Sequence, residues 1–254
     1  MKKFSKKSNQ KFISIITVVL NGGKTLERTI KSVLKQSHKN FELIIIDGGS
    51  TDNTLAIINK YKGKKIISIS KKDKGIYFAM NKGIKIASGE IIGILNADDI
   101  YLKNALKIVN FYFYKYKNID FLFGSVKKNR VMSGYHPEKI IHKFNIFPGH
   151  SSGFFIKRKV HQKIGLYNTK FKYSADFDLM YRLIVKYKLQ GMCTKKNEVT
   201  GIFSMQGISN KVSFYTKLKE ETRIRLHNKQ NFLFVMVLNI LHSFNYIFNK
   251  LKRL

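Results

Sequence analysis

The sequence predicts an α/β fold: a mixed but mainly parallel sheet flanked by helices, with a helical extension at the C-terminus. Three observations carry this. Short apolar runs at residues 12–20, 41–46, 65–70 and 91–95 alternate with segments whose apolar residues recur at helical spacing. Each run closes on polar or acidic residues, namely Asn21, Asp47, the Lys71-Lys72-Asp73 turn and Asp98-Asp99. Strand–helix–strand alternation implies parallel strands joined by right-handed crossovers, so these closing residues fall on one sheet edge, where α/β folds bind ligands.

Taken in order, the β-branched run 12–20 ends in the tight turn Asn21-Gly22-Gly23. Leu26, Ile30, Val33 and Leu34 mark an amphipathic helix over residues 24–36. The second strand runs into Asp47-Gly48-Gly49-Ser50-Thr51-Asp52, and Leu55, Ile58 and Tyr61 carry the next helix. After the third strand, Ile76, Met80, Ile84 and Ala87 share one helical face. Residues 91–95 are apolar apart from Gly93 and too short for a helix, which predicts a strand buried on both faces. Asn96-Ala97-Asp98-Asp99 follow at once. Two carboxylates beside an amide oxygen suit Mg²⁺ or Mn²⁺, although a solvated turn capping the next helix uses the same residues. Convergence of the other strand ends on that edge favours the metal. Asp99 lies beyond the strand and is expected outside the core, so that its loss should spare folding.

The second half is less regular. Leu102, Leu106, Val109 and Phe113 predict a helix, residues 120–125 and 150–156 predict strands, and 126–149 reads as loop. Tyr173-Ser174-Ala175-Asp176-Phe177-Asp178 precedes a helix carrying Leu179, Leu183, Ile184 and Tyr187. Ser174 or Asp176 can serve as its cap. Side chains two apart on a helix point in different directions, so at most one of Asp176 and Asp178 faces a pocket.

A hydrophobic content of 44% in 254 residues excludes a disordered chain, and the net charge of +33 predicts attraction to polyanions. Only seven of the 48 basic residues are arginine and the lysines are spread along the chain, which argues against a nucleic-acid-binding protein. Neither G-x-G-x-x-G after the first strand nor G-x-x-x-x-G-K-[ST] occurs. The histidines lack zinc spacing; His150 stands out because it sits at a strand entrance. The single Cys193 forms no intramolecular disulfide and suits a reducing cytosol. The basic N-terminus followed by apolar residues reads as a first strand rather than a signal peptide. At the far end, Val237, Ile240, Leu241, Phe244, Ile247, Phe248 and Leu251 repeat at helical spacing, with Asn239, His242, Asn245 and Asn249 opposite. That run is too polar to read as spanning. It predicts an interfacial amphipathic helix drawn to anionic lipid by flanking lysines, in preference to one packed on the catalytic domain or a sister subunit.

From about Phe12 to Asn210 the chain resembles the family 2 glycosyltransferases of the GT-A fold, in particular the bacterial group of colanic acid, capsule and O-antigen synthesis. The resemblance rests on Ser14-Ile15-Ile16-Thr17-Val18-Val19-Leu20-Asn21, Ile46-Asp47-Gly48-Gly49-Ser50-Thr51-Asp52, Asp73-Lys74-Gly75-Ile76-Tyr77 and Ala79-Met80-Asn81-Lys82-Gly83. It continues through Ala87-Ser88-Gly89-Glu90, Leu95-Asn96-Ala97-Asp98-Asp99, His150-Ser151-Ser152, Gly165-Leu166-Tyr167 and Ala175-Asp176-Phe177-Asp178 with Arg182. It implies a Rossmann-like nucleotide-diphospho-sugar transferase: a basic leader (1–11), a catalytic domain (12–210) with a nucleotide-sugar half (12–100) and an acceptor half (101–210), and a basic amphipathic tail (211–254).

By the same resemblance, Asp47 contacts the nucleobase, and Asn21, Asp73, Asn81 and Asp98 belong to the nucleotide-sugar site. Asp99 holds the divalent metal, Mg²⁺ or Mn²⁺, and Asp176 is the general base of an inverting transfer. His150, Asp178 and Arg182 fall on the acceptor side. The sequence departs from the group at Phe78, where Asp is usual, and at His150-Ser151 in place of His-Gln. The expected partners are a nucleoside diphosphate sugar, UDP-sugars first, a lipid-linked or oligosaccharide acceptor, and an anionic membrane surface, with a homo-oligomer as the alternative use of the tail. Nucleic acid is not among them. The expected location is the inner face of the cytoplasmic membrane. A catalytically silent scaffold of the same fold is disfavoured by the intact Asp47, Asp98, Asp99 and Asp176.

Overall fold

The computed structural model describes residues 10–63, 65–143, 146, 151–204 and 212–252. In chain order the first half comprises β1 (Ile13–Val19), α1 (Leu26–Leu34), β2 (Phe41–Asp47), α2 (Thr54–Lys60), β3 (Ile66–Ser70), α3 (Ile76–Ile86), β4 (Ile91–Ile94), β5 (Ile100–Tyr101) and α4 (Ala105–Lys115). The remainder comprises β6 (Phe121–Phe123), β7 (Ser125–Lys127), β8 (Val131–Met132), β9 (Phe154–Lys157), α5 (Arg158–Ile164), α6 (Ala175–Tyr181), β10 (Gly191–Cys193), β11 (Val199–Ile202), α7 (Phe214–His227) and α8 (Phe232–Leu251).

The main sheet has the order β10-β6-β9-β4-β1-β2-β3. β1 to β4 are mutually parallel, as the alternation predicts, and β9 alone runs antiparallel, between β4 and β6. β1 and β2 are buried at all seven positions each, as strands covered on both faces must be. Ile13, Ile15 and Val19 turn toward the layer of α1 and α4. Ile16 and Val18, one residue out of phase, turn toward α3 and α6.

The second half differs from the sequence reading. The run 120–125 breaks at Gly124 into β6 and β7, because the Gly124 N–H donates to Gly153 O and a Cβ there would meet the Thr200 side chain at 2.3 Å. Ser151–Gly153 is a 3-10 turn leading into β9 rather than the start of a strand. A second sheet, β5-β11-β7-β8, was not foreseen. Its strands are two to four residues long, below the length at which periodicity can be read. The helical extension is present as α7 and α8, and part of it joins the core. Ile224 of α7 is fully buried in the same core cluster as α3 and α6.

Candidate active site

Loops after β1, β2 and β3 are stitched into one surface. Asn21 takes a left-handed backbone (φ 53°), which Asn tolerates better than most residues. Its Oδ1 accepts from Thr51 N at 2.8 Å, and its own N–H donates to Ser50 Oγ at 2.7 Å. Asp47 is fully buried. Its carboxylate accepts from Gly49 N, Ser50 N, Ser50 Oγ and, across to β3, Ser70 Oγ at 2.6 Å. Gly23 N and the Thr54 hydroxyl donate to Asp52, and these bonds, Thr54 foremost, hold its carboxyl below the usual range. Gly49 is required here: its φ is 89° and a Cβ would lie 3.3 Å from the Lys72 backbone. Asp73 pairs with Lys82 of α3, while its Oδ2 is buried with no hydrogen-bond partner among the described residues.

β4 delivers Asn96, Asp98 and Asp99 to the same edge. α1 braces that turn from below. The Thr29 hydroxyl lies 2.9 Å from Ala97 O and 2.7 Å from Asp99 O, and Arg28 donates to Asp98 O at 3.0 Å. Asp98 is half-buried. Asp99 is only 1% exposed, and its Oδ1 accepts from Ser204 N at 2.9 Å. The expectation that Asp99 lies outside the core is therefore corrected. The short strands β5 and β11 pair Ile100 with Ile202 and bring residue 204, 105 positions away, onto the carboxylate. Among the described residues no group of three or more His, Cys, Asp or Glu side chains surrounds a common point. The carboxylates of Asp98 and Asp99 and the amide oxygen of Asn96 are hard oxygen donors, the type that Mg²⁺ or Mn²⁺ takes.

Asp176 reaches this edge from the second half. It sits half-buried in the first turn of α6, where its Oδ1 accepts from the Tyr77 hydroxyl at 3.1 Å and from Phe177 N at 2.9 Å. Tyr77 lies at the start of α3, just past Asp73 and Gly75. Burial, and next the Asp176 charge, push the Tyr77 hydroxyl well above the ordinary tyrosine range, so it keeps its proton and acts as the donor. Tyr77 belongs to the Gly75-Ile76-Tyr77 motif, but its link to Asp176 crosses 99 residues and leaves no local signal. Phe78, beside it, is half-buried.

Three predicted site residues have packing roles instead. Asn81, expected at the donor site, donates to Tyr167 O at 2.8 Å and accepts from Tyr167 N at 3.0 Å, pinning the ring that stacks on Tyr77. Asp178, expected on the acceptor side, is fully buried and accepts from Arg182 Nε (2.9 Å) and Asn228 Nδ2 (3.0 Å). Arg182 in turn donates to Ile164 O and Leu166 O, so the pair ties α6 to α5 and α7. As the helical geometry requires, Asp176 and Asp178 face different surroundings. His150 lies outside the described residues. A cavity of about 830 Å³ lies at the opposite, amino edge of the sheet, among Lys11, Glu90, Lys117, Lys157 and Arg158, away from all these groups.

The profile of Glycosyl transferase family 2 matches residues 14–212, and the chain belongs to that family. A PGL/p-HBAD biosynthesis glycosyltransferase of Mycobacterium bovis is 32% identical over 177 residues, spanning 66% of this chain and 68% of the relative. An uncharacterized glycosyltransferase of Rickettsia typhi is 31% identical over 188 residues, spanning 68% of this chain and 58% of its own length. Among solved structures, S. aureus TarS 1-349 in complex with UDP superposes with a TM-score of 0.67 at 18% identity, over 90% of this chain and 69% of that one. The mannosyltransferase PcManGT from Pyrobaculum calidifontis, in complex with GDP-Man and Mn²⁺, gives 0.65 at 15%, over 90% and 68%. These likenesses establish a GT-A glycosyltransferase fold, and the protein is a glycosyltransferase.

Proposed function

We propose that the protein transfers a sugar from a nucleoside diphosphate sugar to an acceptor hydroxyl with inversion at the anomeric carbon. The single observation that carries this reading is Asp176, held by the Tyr77 hydroxyl at the sheet edge where Asp98 and Asp99 end β4. The acceptor oxygen bonds to the anomeric carbon as the bond to the diphosphate oxygen breaks. The hydroxyl proton passes to the Asp176 carboxylate, and the nucleoside diphosphate leaves with the bonding pair. A base facing the leaving group across the sugar directs attack from the opposite side, hence inversion. Asp99, with Asp98 beside it, would hold a divalent cation whose role is to neutralise charge on the departing diphosphate. Asp73 and Asn21 flank the nucleotide side of the same edge, and the fully buried Asp47 holds the Gly49–Ser50 loop there. The UDP and GDP-Man complexes of the structural neighbours support a nucleotide-sugar donor.

The acceptor is lipid-linked or polysaccharide, presented at the inner face of the cytoplasmic membrane. α8 supports this. It is long and apolar enough to cross a membrane by length and composition, with a mean hydropathy of 1.4. Its polar residues His242, Asn245 and Asn249 line a cleft against α7, and Asn239 pairs with Thr222, whereas Leu233, Ile240, Phe244 and Leu251 are exposed. α8 is fixed to the protein through Val235 and Leu238 near its start, and the long exposed apolar run beyond them is available to a membrane surface.

The test is calorimetric titration with UDP-glucose, UDP-N-acetylglucosamine and GDP-mannose, with and without Mn²⁺, on wild type and Asp176→Asn. One donor should bind in a metal-dependent manner to both proteins and be turned over only by the wild type. Equal turnover by Asp176→Asn moves the base elsewhere. Full turnover in chelator removes the metal.

A further inference from the structure

We infer that α7, which lies past the segment matched by the family profile, is a working part of the transfer site, and that Glu220 is a positioning residue for Asp176. The inference rests on the reading of Asp176 as the base.

α6 is only seven residues long, and its N-cap, Ser174, makes no side-chain capping bond. The turn that carries Asp176 therefore has no anchor of its own at the position where most helices are fixed. α7 supplies one from outside. Glu220 is buried, and its two oxygens accept from consecutive backbone amides, Lys172 N at 2.6 Å and Tyr173 N at 2.8 Å. Bonds from amides to a buried carboxylate are charge-assisted and short, about twice as strong as neutral ones. Residue 173 is then gripped from both sides. Its N–H is held by Glu220, and its carbonyl accepts from the Tyr77 hydroxyl at 3.3 Å, the same hydroxyl that reaches Asp176 Oδ1.

Further along α7, and at the residue that caps its C-terminus, the grip repeats. The Arg225 guanidinium lies 4.9 Å from the centroid of the Phe177 ring and donates to Ile141 O. Asn228 donates to Asp178 Oδ1 at 3.0 Å. α7 thus holds residues 172, 173, 177 and 178, on either side of Asp176. A carboxylate must stay within about 0.5 Å of its productive position to remove a proton in the transition state. Misplacement by about 1 Å costs roughly 100-fold. Glu220 and Glu221 are the only acids in the strongly basic 211–254 segment, a sequence signal that fits a placed group rather than a solvated one.

The test uses the full chain. Release of nucleoside diphosphate is followed for UDP-glucose, UDP-N-acetylglucosamine and GDP-mannose with Mn²⁺ and vesicles of bacterial polar lipid as acceptor source. Glu220→Gln keeps the volume but sets an NH₂ group against one of the two amides. Its kcat should fall about 10- to 100-fold while the donor KM stays within about twofold. A folded Glu220→Gln with wild-type kcat overturns the inference, as does a proportional loss of donor affinity and melting temperature, which would mark a purely structural role. Should Glu220→Gln fail to fold, Asn228→Ala takes its place. It leaves the Asp178–Arg182 pair intact, and its kcat should fall about 3- to 10-fold at unchanged KM; wild-type kcat there overturns the inference equally. Asp176→Asn is run alongside: full activity in that variant fails the base itself, whatever Glu220 does. A wild type inert toward all three donors likewise removes the reading on which the inference stands.

Discussion

Asp99 combines two duties that substitution can separate. Its charge suits a metal, and its Oδ1 holds the Ser204 amide. Asp99→Ala leaves that amide without its acceptor, which should cost about 1–3 kcal/mol of stability in addition to activity. Asp99→Asn retains an acceptor oxygen, so it should melt close to wild type while losing metal-dependent turnover. Equal melting temperatures for the two variants would show that the Ser204 bond adds nothing. His161 supplies a pH dependence. It is 4% exposed, and burial lowers its pKa from 6.5 to about 4. Between those values the unfolded chain binds the proton and the folded chain does not, so acid favours unfolding. His161 therefore contributes stability that is present above pH 6.5 and is lost as pH falls toward 4, on the order of 3 kcal/mol at full extent. His161→Gln should flatten the decline in melting temperature across that window, and an unchanged slope would assign the decline to other groups.

At the scale of elements, α3 is the member on which the site depends. Its Gly83 lies so close to β1 that a Cβ would meet Ile16 Cγ2 at 2.4 Å, and Ile16 is fully buried with nowhere to move. Gly83→Ala gains helix propensity of about 1 kcal/mol but overpacks by about 1–3, for a net loss of roughly 0–2 kcal/mol. Because α3 also carries Tyr77, activity should fall more than stability. A stabilised variant in thermal melts would mean the helix shifts freely. α8 behaves differently. Phe244 is 72% exposed, so Phe244→Asp should leave the melting temperature unchanged while weakening sedimentation with anionic vesicles. Raising the salt concentration should weaken that sedimentation further. Wild-type sedimentation by Phe244→Asp, or by a chain ending at Gln230, would exclude α8 as the membrane contact.

For the whole molecule, the +33 charge surrounds a carboxyl edge that gathers several of the few acids, with Lys82 paired to Asp73 and Arg28 bonded to Asp98 O. Asp47, Asp73, Asp98, Asp99 and Asp176 belong to the carboxyl edge of β1–β4, whereas Lys11, Lys117, Lys157 and Arg158 line a cavity at the amino edge. Crowding shows at that second place. Burial first, and then the Lys159 charge, push Lys157 below the ordinary lysine range. The amino edge also explains a motif with no catalytic part. In Ala87-Ser88-Gly89-Glu90, Ser88 donates to buried Glu42 from both its N–H and its hydroxyl, and Gly89 N donates to Ser14 Oγ, joining β1, β2 and the start of β4.

The parallel half of the sheet, its flanking helices and the polar ends of β1 to β4 are legible in the sequence, because periods of 2 and 3.6 residues and the polarity at strand ends are local properties. Asp98-Asp99 and Asp176 are legible as candidates for the same reason. Which oxygens remain for chemistry is another matter. Asn81, Asp178 and Arg182 look as functional as Asp176 in the chain, and only folding assigns their atoms to Tyr167, Asn228, Ile164 and Leu166. The burial of Asp99 under Ser204 and the grip of Glu220 on residues 172 and 173 join positions 105 and about 50 residues apart. Such bonds depend on where the short strands β5 and β11 and the helix α7 come to rest. Tertiary packing decides that, and no local pattern records it.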